Sequence, residues 1–106
     1  MISVLHFADE RDFADRAAAA LKTLGGCPGF VRGRLGRGID DAADWVLVTE
    51  WDSVGAYRRA LGSYAVKLHA APLLGLARDE AGAFETLAEL DADGPLRVPP
   101  SDREQA

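Results

Sequence analysis

Seven residues, Trp45 to Trp51, constrain the fold of this chain more than any others, because their side chains alternate with a period of two and only an extended strand satisfies that period. Trp45, Leu47, Thr49 and Trp51 fall on one face, and Val46, Val48 and Glu50 on the other. Aromatic and β-branched side chains suit a pleated, half-buried surface. The chain therefore contains a strand with two largely apolar faces, and both need a cover.

The flanking segments supply candidates for that cover. Ile2 to Phe7 reads as a first strand, with Ile2, Val4 and His6 on one side and Leu5 and Phe7 on the other. Asp9 is a possible helix cap, after which Phe13, Ala17, Ala20, Leu21 and Leu24 recur at helical spacing up to Gly25-Gly26. Cys27-Pro28-Gly29 is a turn signal leading into a glycine-bearing strand, Phe30 to Leu35, and Gly36 to Ala43 is a polar loop. After the Trp45–Trp51 strand, Asp52 or Ser53 caps a helix whose apolar stripe is Val54, Tyr57 and Leu61. Gly62-Ser63 breaks it and restarts a piece over Tyr64 to Ala70, Pro72 ends or kinks that piece, and Leu73, Leu74 and Leu76 form a further apolar turn. Gly82 to Leu90 reads as the last strand.

The order βαββαβ predicts an α+β, ferredoxin-like domain, a four-stranded antiparallel sheet with its helices on one face. Its 106 residues suffice for one core and no more. Residues 1–91 form the expected domain. Residues 92–106, rich in Asp, Pro, Gly and Arg, read as a flexible C-terminal tail. Leu5, Val46, Val48 and Leu87 are expected to leave an apolar patch on the uncovered sheet face, which a second copy would bury, making a homodimer.

Charge and composition exclude several function classes. The net charge is −5, with acids and bases interspersed, which disfavours nucleic acid as a partner. The longest uncharged stretch, Leu68 to Ala77, is far short of the roughly 20 residues that span a bilayer. With no signal-like start, the expected location is cytoplasmic. Cys27 stands alone and reads as a small packed side chain. No cluster has metal-ligand spacing and no glycine-rich phosphate loop follows a strand, so zinc, flavin and nicotinamide are not implied.

The turn Cys27-Pro28-Gly29-Phe30, the strand ending in Trp51-Asp52-Ser53 and the following Ala56-Tyr57 resemble the antibiotic biosynthesis monooxygenase family, over roughly residues 1–90. The resemblance implies a dimeric α+β barrel with a pocket in each subunit between helices and sheet. In the family's cofactorless oxygenases a Trp and a Tyr six residues apart line that pocket, which matches Trp51 and Tyr57, while the expected Asn four residues before the Trp is Leu47 here. In its heme-degrading members a helical His ligates iron. His69 falls on that position, but Ala60 stands where those members have Trp, and His6 where they have Asn.

Three functional expectations follow. The first is a cofactor-independent monooxygenase, an oxidoreductase acting on a hydrophobic aromatic or polyketide-type small molecule with O₂. Such chemistry needs a shaped apolar pocket, a base and stabilisation of a developing oxyanion. Histidine suits the base near neutrality, so His69 and His6 are the candidate catalytic residues, with Trp51, Tyr57, Tyr64 and Arg78 as candidate substrate contacts. His69 lies twelve positions beyond Tyr57, about 120° around an unbroken helix, an angle that the Gly62-Ser63 break can correct. Arg32, Arg34 and Arg37 form a basic stripe of the kind that sits in solvent or pairs with acids. The second expectation is a heme-binding or heme-degrading monooxygenase using His69, and the third a non-catalytic dimeric small-molecule-binding domain.

Overall fold

The computed structural model describes residues 1–100. Its elements are β1 (Ile2–Ala8), α1 (Phe13–Gly25), β2 (Phe30–Arg37), β3 (Asp44–Trp51), α2 (Val54–Gly62), α3 (Tyr64–His69), α4 (Ala71–Leu74) and β4 (Ala83–Phe84). The strands form one antiparallel sheet in the order β2-β3-β1-β4. This is the ferredoxin-like arrangement expected from the element order.

Pairing of β1 with β3 sets the faces of the sheet. Ser3 lies opposite Thr49, Leu5 opposite Leu47 and Phe7 opposite Trp45. Directly opposed residues of an antiparallel pair share a face, so all six point toward the helices, where Phe7 and Leu47 join the buried core. Val4 opposes Val48 and His6 opposes Val46, which puts these four on the outer face. Leu5 was expected on the outer patch; its register with Leu47 turns it inward instead. The outer patch is built from Ile2, Val4, Val46 and Val48.

The helical layer is held by small residues as much as by large ones. Ala17, Ala20, Ala56, Ala60 and Ala70 are all buried, letting helices approach sheet and one another closely. Phe13 is clasped between Phe7 and Trp45, with ring centroids 5.1 and 5.2 Å away. Burying a side chain of that size contributes about 1.5–3 kcal/mol. Asp9 does not cap α1. Asp12 takes the N-cap position in a left-handed conformation, and Asp9 Oδ1 instead accepts a hydrogen bond from Trp45 Nε1 at 3.0 Å.

The other helix starts follow the sequence more directly. The Ser53 hydroxyl accepts from the Ala56 amide at 3.1 Å and starts α2, and Ser63 does the same for Val66 at the head of α3. A side-chain cap of this kind is worth about 1 kcal/mol. Pro72 sits in the first turn of α4, where its missing N–H costs nothing.

The Cys27–Phe30 turn places the end of β2 against α2. Phe30 N donates to Cys27 O at 3.2 Å, Gly29 has φ +86°, and Pro28 precedes it, the pattern of a type II turn. A Cβ on Gly29 would also collide with the side chain of Ala56. Just beyond, the register with β3 shifts between Phe30 and Arg32, leaving Phe30 paired with Trp51 and packed edge-on to it at 5.2 Å.

The fourth strand is much shorter than the Gly82–Leu90 run expected from alternation. Only Ala83 and Phe84 pair with β1. Glu89 and Arg97 then exchange backbone hydrogen bonds of 2.8 Å each, and Arg97 reaches Glu89 and Asp91 at 3.5 and 3.0 Å. Alternation is local to a strand, whereas pairing needs a partner: the register sets Phe84 opposite Ile2, where β1 begins, so the residues after Phe84 have no part of β1 to pair with, while Gly82 O and Arg78 N bond the same edge at Val4 N and His6 O. Of the tail expected from residue 92, the part beyond Pro100 lies outside the described residues. Among the described residues no helix is long and apolar enough to cross a membrane.

Two glycines make contrasting predictions. Gly29→Ala is expected to cost about 1–3 kcal/mol, from positive φ together with the clash at Ala56. Gly62→Ala, at the end of α2 with open space around its would-be Cβ, is expected to stabilise by about 0.4–1 kcal/mol. Urea unfolding of both variants checks the pair, and equal effects would contradict the assignment of the turn.

Candidate functional site

Between the inner face of the sheet and the helices lies a small cavity lined by Ser3 and Leu5 of β1, Leu47 and Thr49 of β3, Leu24 of α1, Tyr57 and Leu61 of α2, and Leu74 of α4. Strand alternation aims the first four at the helices, and the turn at Gly29 together with the Ser53 cap sets the start of α2 that carries Tyr57 over them. The free space is about 10 Å³, room for little more than one water-sized sphere. A larger ligand enters only if side chains of the wall move outward, and Leu61 and Leu74 are half-buried residues on short helices.

The walls are apolar but the floor is not. Ser3 and Thr49 are each 2% exposed and face the helices side by side. Ser3 Oγ donates to Tyr57 Oη at 3.3 Å, and Trp51 Nε1 donates to Thr49 Oγ1 at 2.9 Å. The Trp51 and Tyr57 rings are 5.6 Å apart and inclined at 59°. Tyr57 thus lines the cavity, while Trp51 sits behind it, 2% exposed, holding the Thr49 hydroxyl and backing the Tyr57 ring. Leu47, at the position where the family resemblance leads one to expect Asn, is a buried part of the wall.

The structure separates the remaining candidates from this cavity. His6 is on the outer sheet face opposite Val46. His69 ends α3 on its exposed side, and Tyr64, at the start of the same helix, is 80% exposed. Arg78 is exposed and ion-paired with Asp44 at 2.6 Å, while its backbone amide donates to His6 O at 2.8 Å. Of the six candidate residues, then, only Trp51 and Tyr57 are brought together at this cavity. Ser3 and the leucines of the wall were not singled out from sequence. The legible signal was a hydroxyl at one position of each otherwise apolar strand face; what was missing was the register that sets the two side by side.

The arrangement offers hydrogen bonds and enclosure to a ligand but little acid–base power, since among the described residues no carboxylate or imidazole lines the cavity. The surroundings of His69 do not fit a heme. It is an exposed residue that follows the exposed Lys67 and Leu68 in the chain, and it lines neither this cavity nor the groove on the outer sheet face. Among the described residues, no three of His, Cys, Asp and Glu come together as a metal site.

On the outer face, a groove of about 610 Å³ runs between the sheet and the C-terminal segment. Ile2, Arg32, Arg34 and Val48 form one side, and Thr86, Leu90 and Arg97 the other. Phe84, Leu87, Leu90, Leu96 and Val98 are all exposed along that segment.

Comparison with known proteins bears on the fold and the family. A family model described as antibiotic biosynthesis monooxygenase matches residues 7–71. SnoaB, a cofactor-independent oxygenase from Streptomyces nogalater, is 30% identical, with a TM-score of 0.65 over 83% of this chain and 96% of its own. A conserved protein from Methanosarcina mazei Go1 shares the fold at 14% identity, with a TM-score of 0.62 over 77% of this chain and 84% of its own. No curated protein sequence matches. Since the family model covers more than half of the chain and a solved relative is 30% identical over 83% of it, the chain belongs to the antibiotic biosynthesis monooxygenase family.

Proposed function

We propose that this protein is a cofactor-independent monooxygenase that oxidises a hydrophobic aromatic small molecule, of the phenol or anthrone kind, in the cavity between its helices and sheet. The observation that carries the reading is that cavity: leucine walls, a hydroxyl floor and the Trp51–Tyr57 pair. Its likeness to a cofactor-independent oxygenase supports it.

The chemistry asks little of the protein. An anthrone loses a proton to give an electron-rich enolate, which passes an electron to O₂. The two radicals combine to a hydroperoxide, and loss of water leaves the quinone. One O₂ is consumed, with one of its oxygens in the new carbonyl and the other in water. Neither histidine lines the cavity, and a base must lie within hydrogen-bond reach of the proton it removes. The proposal therefore gives the proton to a water molecule, its loss eased by hydrogen bonds to the substrate's oxygen, and a proton returns from water to the peroxide formed when the radicals combine; His6 and His69 stay outside the reaction. Exclusion of water by the leucines then protects the reactive intermediate.

We further propose that the protein works as a homodimer joined through the outer sheet face. Ile2, Val4, Val46 and Val48 form an apolar strip there, and the exposed apolar residues of the C-terminal segment flank it. A strip of that kind is normally covered.

Two outcomes are expected. In turnover of 1,8-dihydroxyanthrone, followed by quinone absorbance, Leu74→Trp should fill the cavity and lower kcat/KM at least tenfold, while His6→Ala and His69→Ala stay within about threefold of the parent, since a base in place contributes about 10²–10⁴. A parent-like rate in Leu74→Trp, or a loss of that size in either histidine variant, would overturn the assignment. In light scattering the parent should have twice the 11.3 kDa chain mass, and Val48→Glu, which places a charge in the strip, should run as a folded monomer. A monomeric parent would contradict the dimer.

A further inference from the structure

The hydroxyl floor has more hydrogen-bonding capacity than the protein uses. Ser3, Thr49 and Tyr57 carry three hydroxyl protons. The Ser3–Tyr57 contact uses one of them, and the bond at Thr49 is donated by Trp51 rather than by the threonine. Among the described residues, the other two protons have no acceptor. The Ser3–Tyr57 contact is also slack, at 3.3 Å against about 2.7–2.8 Å for a typical hydroxyl pair.

Burial makes this arrangement costly as mere packing. Ser3 and Thr49 stand at 2% exposure in a face whose other members are leucines and aromatics, and taking a hydroxyl out of water without full compensation costs about 1–3 kcal/mol on mutational scales. Alanine and valine would fill the same positions without that cost. The three groups converge on one cavity, supplied by two adjacent strands and a helix. Trp51 fixes the Thr49 oxygen from behind, so that the threonine proton is free to turn toward the cavity.

We propose that Ser3, Thr49 and Tyr57 form an anchor for a single acceptor oxygen of the aromatic ligand, a carbonyl, phenolate or enolate oxygen. Thr49 Oγ1 and Tyr57 Oη donate to it, and Ser3 orients the tyrosine. This rests on the proposed aromatic-binding cavity and adds the group by which it orients its ligand. Two donors on an oxygen that gains negative charge stabilise the enolate more than the neutral ligand, so the anchor serves as both recognition element and oxyanion site. It also selects against hydrocarbons, whose binding would leave both donors buried and unpaired.

Equilibrium dialysis of 9-fluorenone and fluorene tests the anchor, because the two have nearly the same shape and differ by a carbonyl in place of a methylene. The parent protein is expected to bind fluorenone at least tenfold more tightly. Thr49→Val and Tyr57→Phe should each cut that ratio to about threefold or less while fluorene binding is kept, and Thr49→Ser should preserve it. The Tyr57→Phe variant leaves the Trp51 N–H partnered, so it tests the anchor even if Thr49→Val fails to fold. Binding of both probes with no preference, or a preference unchanged in the folded variants, would overturn the anchor and leave the cavity reading standing. Binding of neither probe would overturn both.

Discussion

The antiparallel register between β1 and β3, from Ile2 opposite Glu50 to Ala8 opposite Asp44, is the constraint on which the rest of the structure depends. A slip of one residue would turn every side chain of β1 to the other face. Ser3, Leu5 and Phe7 would then leave the core, while Ile2, Val4 and His6 would enter it. The observed register sets Leu5 against Leu47 and Phe7 against Trp45 on the helix side, and Val4 against Val48 on the other. On the helix side it builds a core whose only deeply buried polar residues, among those described, are Ser3 and Thr49. On the outer side it builds the strip through which a second copy is proposed to pack.

Much of this was legible in the sequence. Helix starts followed from Ser53 and Ser63, whose hydroxyls reach the amides three residues on. The turn at Pro28-Gly29 followed from the only residue type that adopts φ +86° beneath Ala56 without strain. These are local chemistries, fixed within a few residues. What was not legible depends on partners distant in the chain. Leu5 could be assigned a face only once its opposite residue was known to be Leu47. The last strand ended early because β1 pairs with just two of its residues, although alternation in the sequence runs on to Leu90. His69 was carried to the exposed side by the restart of the helix at Ser63, a rotation that spacing from Tyr57 does not encode.

The same division runs through the site. The Trp51–Tyr57 pair was visible as a motif, yet its members have different parts: Tyr57 faces the cavity, and Trp51 stands behind, donating to Thr49 and packing edge-on against Phe30. The other two groups that give the cavity its polarity, Ser3 and Thr49, come from positions without a motif. A site lined by leucines and hydroxyls, with its histidines elsewhere, suits a reaction in which substrate and O₂ supply the redox chemistry and the protein supplies orientation, enclosure and a stabilised oxygen.

The central claim, oxidation of an aromatic substrate by O₂ with no resident cofactor, is tested most directly by isotope labelling. Protein dialysed against a chelator and checked free of metal, heme and flavin is mixed with 1,8-dihydroxyanthrone under ¹⁸O₂. The account predicts oxidation well above the spontaneous rate, one O₂ consumed per quinone and one ¹⁸O atom in each new carbonyl. Oxidation no faster than the spontaneous rate, or acceleration that appears only when hemin, flavin or a metal ion is added, would contradict it.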